Sequence, residues 1–245
     1  MSRQKKRLDL IIQEQHPDLS RNFIQSLIMQ GKVFVEGKQV TKAGTLIYED
    51  SKLIVKAEQP KYVSRAGLKM EKALENFNID VTGYVALDAG LSTGGFTDCL
   101  LQKGGRKVYG VDVGYGQVHE KIRNDARVVV MERVNLRHLD PLPQKVDIVT
   151  LDLSFISVLK VIDVVAAALK DHGELVVLIK PQFEAERKNV GKGGIIKDDA
   201  VHQQVVEKII EGLSQHGFIC QGVTESPIFG SSGNKEFLGY FIKSS

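Results

Sequence analysis

Four charged residues in this 245-residue chain stand where an apolar run stops or resumes: Lys69, Asp152, Lys180 and Glu236. Two amines and two carboxylates gathered at one place could take a proton from a weakly acidic hydroxyl and hold the product oxygen in position. A bare hydroxyl is a poor nucleophile near neutral pH, so it needs a base within hydrogen-bond reach. A lysine can be that base only as the neutral amine, a form that a second lysine nearby and partial burial both favour. Lys180 is the candidate base, Asp152 the group that orients it, and Glu236 the group that holds Lys69.

The elements that must position these residues alternate between strand and helix. Strands are expected over 84–88, 107–112, 127–131, 146–151, 174–179, 218–223 and 237–242. Helices are expected over 95–102, around 156–169 and over 202–216. Continuous apolar strands alternating with helices make a doubly wound, mostly parallel sheet, here of seven strands and Rossmann-like. Between the last two strands there is no room for a crossover helix, so the final strand should run antiparallel to its neighbour. Ligands of such sheets bind beyond the carboxyl ends of the parallel strands. Asp88, Asp112, Asp152 and Lys180 fall at such ends, and a reversed last strand starts at the same rim, where Glu236 stands. Lys69, on a helix before the sheet, could reach over it.

The run Leu87-Asp88-Ala89-Gly90-Leu91-Ser92-Thr93-Gly94-Gly95-Phe96-Thr97-Asp98 joins the first of these strands to the first helix of the sheet domain. A dinucleotide loop needs Gly-x-Gly-x-x-Gly, whose second glycine lets the backbone approach a pyrophosphate. Ser92 occupies that place, which weakens an NAD reading.

Residues 1–60 read as a separate small α+β module. A helical pattern starts at Leu8 and stops near His16-Pro17. Ser20 caps a second helix, Arg21 to Gln30, with Gly31 as its stop. Short strands follow at Val33-Phe34-Val35 and Leu53-Ile54-Val55, with a tight turn at Glu36-Gly37-Lys38. This segment holds ten Lys/Arg against seven Asp/Glu, whereas residues 61–245 balance at zero, so the whole net charge of +3 sits in the first quarter. A basic module on a neutral body fits a polyanionic partner. Residues 61–65, after Pro60, are the expected linker, and 66–245 the large domain.

Three of these features resemble known families. Ser20-Arg21-Asn22 with Gly31 to Lys38 is similar to the S4-like RNA-binding module first seen in a small-subunit ribosomal protein. The resemblance implies that Arg7, Arg21, Lys32, Lys38 and Lys42 lie on RNA phosphates, contacts that position a protein without reading sequence. The loop from Asp88 resembles the S-adenosylmethionine site of class I methyltransferases. That implies a cofactor set of Asp88, Gly90, Ser92, Thr93, Gly94, Gly95 and Phe96, with Asp112 on the ribose hydroxyls, Asn135-Leu136 bordering the adenine, and Asp152 near the methyl. The runs Ser64 to Met70, Leu151 to Phe155, Ile179 to Glu184 and Gly233 to Phe237 together resemble the TlyA family of ribosomal RNA 2′-O-methyltransferases, often labelled hemolysins, and the wider FtsJ-type enzymes with their Lys-Asp-Lys-Glu tetrad. The resemblance implies methyl transfer to a ribose, of a cytidine in ribosomal RNA, with ribosomal subunits as partner. Where that family often carries Arg-x-Trp-Val between its domains, this chain has Lys61-Tyr62-Val63.

Composition narrows the alternatives. No apolar run approaches the ~20 residues that span a bilayer, and no long cationic amphipathic helix is evident, which argues against a membrane-active hemolysin. A non-catalytic ribosome-binding protein would not need both the donor loop and the four charged residues. Cys99 and Cys220 make neither a metal spacing nor a disulfide framework, so a reducing cytoplasm is the simple reading. The six histidines show no metal-binding spacing. Lys192-Gly193-Gly194, within 189–196, could close over a substrate or be an ordinary loop.

Overall fold

The computed structural model describes residues 4–17, 19–56, 60–230 and 232–244. They form two compact units, within Met1–Gln59 and Pro60–Ser245. The expected linker 61–65 lies in the second unit, and its residues are docked there. The Tyr62 ring is buried, the Val63 N–H donates to Asp98 Oδ2 (2.8 Å) and Gln102 Nε2 donates to the Lys61 carbonyl (2.9 Å).

In the first unit β1 (Lys5–Arg7), α1 (Leu8–Gln15) and α2 (Arg21–Met29) precede β2 (Val33–Val35), β3 (Lys38–Gln39), β4 (Leu46–Tyr48) and β5 (Leu53–Val55). Ser20 Oγ accepts the Phe23 N–H, as an N-cap should. Leu8, Ile11, Ile12, Ile24, Leu27 and Ile28 fill the core between the helices and the strands. The sheets are antiparallel, with order β3-β2-β5 in one and the β1-β4 pair as the other. The sequence did not announce the β1-β4 pair. Lys5-Lys6-Arg7 has no apolar alternation; it pairs through the backbone, and Lys5 Nζ stands over the ring of its partner Tyr48 (4.9 Å).

The second unit runs α3 (Ala66–Phe77), β6 (Val85–Ala89), α4 (Gly95–Gln102), β7 (Lys107–Asp112), α5 (Glu120–Arg123), β8 (Val128–Glu132), β9 (Val146–Leu151), α6 (Ile162–Ala168), β10 (Leu169–Ile179), α7 (Pro181–Glu184), α8 (Asp199–Gln215), β11 (Phe218–Glu225) and β12 (Phe237–Lys243). The seven strands are ordered β11-β12-β10-β9-β6-β7-β8. Strands β6 to β10 pair in parallel, and β12 is antiparallel to both β10 and β11. Successive residues of β6 face opposite layers. Leu87 packs with Val205, Ile209 and Leu213 of α8, and Ala86 packs with Met70 and Leu74 of α3 and Leu100 of α4. Ile179 at the end of β10 pairs with Phe237 at the start of β12, so Lys180 and Glu236 leave the sheet at one rim.

Two expected helices differ. The stretch 156–169 is not one helix: a 3-10 turn at Val158–Lys160 precedes α6, and Leu169 already belongs to β10. Val158, Val161, Ile162, Val164 and Val165 crowd it with β-branched side chains that suit a helix poorly. Helix α8 starts before His202 because the Asp198 carboxylate accepts the Ala200 N–H and caps it.

Candidate active site

The strand order sets the site. Strands β12, β10, β9 and β6 are consecutive neighbours, spaced about 4.8 Å apart, and their ends at one rim carry Glu236, Lys180, Asp152 and Asp88. Lys180 Nζ lies 2.6 Å from Asp152 Oδ1 and donates to Ser154 Oγ (3.1 Å). Lys69 reaches across from α3 and donates to Glu236 Oε2 (2.5 Å), with both side chains buried. The four charged residues therefore form two ion pairs, each lysine with its own carboxylate. The loop before β12 passes directly over Glu236: a Cβ on Gly230 would stand 2.3 Å from Glu236 Oε1.

Next to these pairs lies a cleft of about 420 Å³ lined by Gly90, Ser92, Val111 to Gly114, Gln117, Val134, Asn135 and Asp152 to Ile156. A smaller hollow of about 160 Å³ continues it along Ser64, Ala66, Gly90 to Thr93, Gly95 and Phe96, and Asp152 borders both. The larger end is walled by Val111, Val113, Val134, Leu153 and Ile156, with the Asp112 carboxylate and Asn135 at its edge. Apolar walls around a few polar groups suit a nucleoside; the narrow end suits an extended chain. Gly90 is required where the two meet. Its φ is +91°, and a Cβ there would stand 2.3 Å from the Asp152 carbonyl oxygen. Asp112 Oδ2 accepts the Ser92 N–H and Oδ1 the Gly114 N–H, both at 2.7 Å, which fixes the donor loop and leaves lone pairs facing the cleft.

Three expected cofactor residues do not line either hollow. Asp88 is buried beneath the loop, where Oδ2 accepts the N–H and hydroxyl of Thr97 and Oδ1 accepts the Thr150 hydroxyl. It ties β6 to α4 and β9, and burial pushes its carboxyl up to about 6. Gly94, at φ +91°, packs against Ile122, and Leu136 is buried in the core. Where the resemblance puts Asp88 in the cofactor set, its carboxylate is held by Thr97 and Thr150.

Residues given no role by the sequence also shape the rim. Phe155 holds a left-handed backbone (φ +65°), unusual for a bulky side chain, and is 90% exposed. Its ring lies 5.0 Å from that of Phe183. Glu184, buried, accepts the Val158 N–H (2.8 Å) and so ties α7 to the loop bearing Phe155. Cys99, buried, has its thiol pushed up to about 12, unlike an activated nucleophile.

In the first unit the Arg7 guanidinium donates to both oxygens of the buried Asp9 (2.9 and 2.8 Å), Gln25 donates to the same carboxylate, and Arg21 stands 3.7 Å away. These cations hold the Asp9 carboxyl below the usual range. Both arginines remain half exposed. Lys32, Lys38 and Lys42 are exposed, with no acidic partner within ion-pair distance among the described residues.

Residues 62–243 match the FtsJ-like methyltransferase family and residues 6–49 the S4 domain. The chain is 43% identical over 242 residues to "Hemolysin A" of Brachyspira hyodysenteriae, covering 96% of this chain and 99% of the relative. It is 40% identical over 222 residues to "16S/23S rRNA (cytidine-2'-O)-methyltransferase TlyA" of Mycobacterium tuberculosis, covering 89% and 83%. A solved hemolysin-like structure from Streptococcus thermophilus superposes with a TM-score of 0.77 at 38% identity, covering 100% of this chain and 90% of that one. Matches of this extent and identity assign the chain: it belongs to the FtsJ-like methyltransferase family, in the TlyA group that joins such a domain to an S4 domain.

Proposed function

We propose that this protein transfers a methyl group from S-adenosylmethionine to the 2′-hydroxyl of a cytidine in ribosomal RNA. The observation that carries the reading is the Lys180–Asp152 pair at 2.6 Å, on neighbouring strand ends, with Asp152 also forming the wall of both hollows. A base and a donor site thus share one residue. The names of relatives such as the Mycobacterium tuberculosis protein support the ribose and the cytidine.

When bound, S-adenosylmethionine supplies an electrophilic methyl group with a built-in leaving group. Asp112 and Asn135 would hold its nucleoside, and Gly90, Ser92, Thr93 and Gly95 its amino-acid chain. The protein then has to align the hydroxyl and remove its proton. Lys180 Nζ takes that proton, with Asp152 and Ser154 fixing the direction of the amine. Lys69 is held by Glu236, and the pair borders the target ribose. Phe155 and Phe183 offer a stacking face to a base turned out of its helix, as single-stranded RNA recognition requires. The S4 unit supplies phosphate contacts through Arg7 and Arg21, organised by Asp9, and through Lys32, Lys38 and Lys42.

The test is methylation of purified ribosomal subunits, followed by digestion of the RNA to nucleosides and mass analysis. The reading requires the added methyl on the sugar of cytidine. A methyl on the base, or on no ribosomal RNA at all, contradicts it. Among the described residues no helix is long and apolar enough to cross a membrane.

A further inference from the structure

The second unit has no net charge, yet its cations are unevenly placed. Residues 187–197 contain Arg187, Lys188, Lys192 and Lys197 and no acid. All four are exposed. Lys188 pairs with Glu186 at 2.7 Å. Arg187, Lys192 and Lys197 have no acidic partner within ion-pair distance among the described residues. Elsewhere in the unit some exposed cations pair, as at Lys121–Asp98 and Arg123–Glu132, and others, such as Arg106, Arg137 and Lys160, have no acidic partner within ion-pair distance among the described residues, so what distinguishes this segment is its place.

This segment follows α7, directly beyond Lys180, and it is anchored. Ile196 is buried. Asn234, also buried, donates from Nδ2 to the Gly194 carbonyl (2.9 Å) and accepts the Ile196 N–H at Oδ1 (3.0 Å). Gly191 N–H donates to the Ile195 carbonyl, closing the loop on itself. Asn234 stands two residues before Glu236, so the stretch 194–196, between Lys192 and Lys197, is tied beside the catalytic rim. Phe229, 65% exposed, precedes Gly230, which packs over Glu236 and whose N–H donates to the carbonyl of the same Asn234 (2.9 Å). An exposed aromatic beside unpaired cations is the combination that single-stranded nucleic acid binds, bases on the ring and phosphates on the charges.

We infer that Arg187, Lys192 and Lys197, with Phe229, form a second RNA-binding surface, which grips the single-stranded nucleotides flanking the target. The inference rests on the methyltransferase reading for its partner. It divides RNA binding between the two units. Asn234 acts as a positioning residue for that surface.

The test uses the full-length protein with Arg187→Ala, Lys192→Ala and Lys197→Ala combined, with and without Phe229→Ala. Equilibrium binding to naked ribosomal RNA and to ribosomal subunits is followed across salt, and donor affinity is measured by calorimetry. The surface predicts an RNA affinity at least about tenfold lower at unchanged donor affinity. The slope of log affinity against log salt becomes shallower by about 2, because three phosphate contacts on a single strand contribute about 0.7 each. Arg106→Ala, Lys145→Ala and Lys170→Ala, at the opposite end of the strands, serve as the control and leave RNA affinity intact. Unchanged affinity and slope in the triple variant overturn the proposal. So does a loss seen with subunits but not with naked RNA, which assigns the surface to a ribosomal protein. Binding is read without methyl transfer. A wild type that binds RNA through this surface but methylates nothing overturns the catalytic reading alone, and one that binds no RNA overturns both.

Discussion

Lys69 and Glu236 are 167 positions apart and meet at 2.5 Å with both side chains buried. The contact joins the first helix of the methyltransferase unit to the loop residue before β12, the strand that runs antiparallel to both its neighbours. Taking one partner away leaves a buried charge unmatched, which costs about 3–5 kcal/mol. Lys69→Met should therefore lower the unfolding midpoint in urea strongly. Combining it with Glu236→Leu should restore most of that stability, because a buried ion pair contributes little over a well-packed apolar pair. Methylation should stay lost in both. A double variant with near wild-type methylation would reduce the pair to a structural clamp.

Asp88 predicts a pH signature in stability. Burial raises its folded-state pKa to about 6, above the ordinary 3.9 of the unfolded chain. Between those values the unfolded chain has released the proton and the folded one keeps it, so folding stability falls as pH rises through about 4 to 6. The size is about 3 kcal/mol at most, present in full below the window and lost above it. Glu184, also raised by burial, acts in the same direction, so the comparison must be between variants. Urea unfolding at pH 4.5 and 7 should show wild type losing more stability than Asp88→Asn over that interval. Parallel behaviour of the two proteins would place the Asp88 proton elsewhere.

A chain beginning at Lys61 should bind S-adenosylmethionine as the full protein does, because the linker residues Tyr62 to Ser64 are retained with the unit they pack on. It should lose most RNA affinity with the S4 unit, and the remaining binding should be less salt-sensitive. Calorimetry for the donor and filter binding for RNA check both halves. Equal RNA affinity of the two chains would remove Arg7, Arg21, Lys32, Lys38 and Lys42 from the interface.

Much of this was legible in the sequence because each strand that matters ends on a polar residue after an apolar run. Asp112, Asp152 and Lys180 could be placed on one rim from that pattern, and the missing crossover before Phe237 put Glu236 there as well. The pairing of Lys69 with Glu236 and of Lys180 with Asp152 was expected from the chemistry of the four groups, and the order of neighbouring strands is what brings it about. Burial was not legible: Asp88 ends a strand as Asp152 does, but Thr97 and Thr150 draw it beneath the loop. The broken helix before β10 and the left-handed backbone of Phe155 depend on tertiary packing that overrides local preference.

The central claim is that Lys180 Nζ removes the proton from the target ribose. Single-turnover methylation of ribosomal subunits, read as 2′-O-methylcytidine across pH, tests it on wild type, Lys180→Ala and Lys180→Arg. Only a neutral amine can accept a proton, so the wild-type rate should rise with pH and level off. Alanine should abolish product while donor and RNA binding persist. Arginine should also fail, because its guanidinium stays charged. A Lys180→Arg enzyme with a near wild-type rate would contradict the claim, leaving Lys180 as a positive charge and the proton with another acceptor.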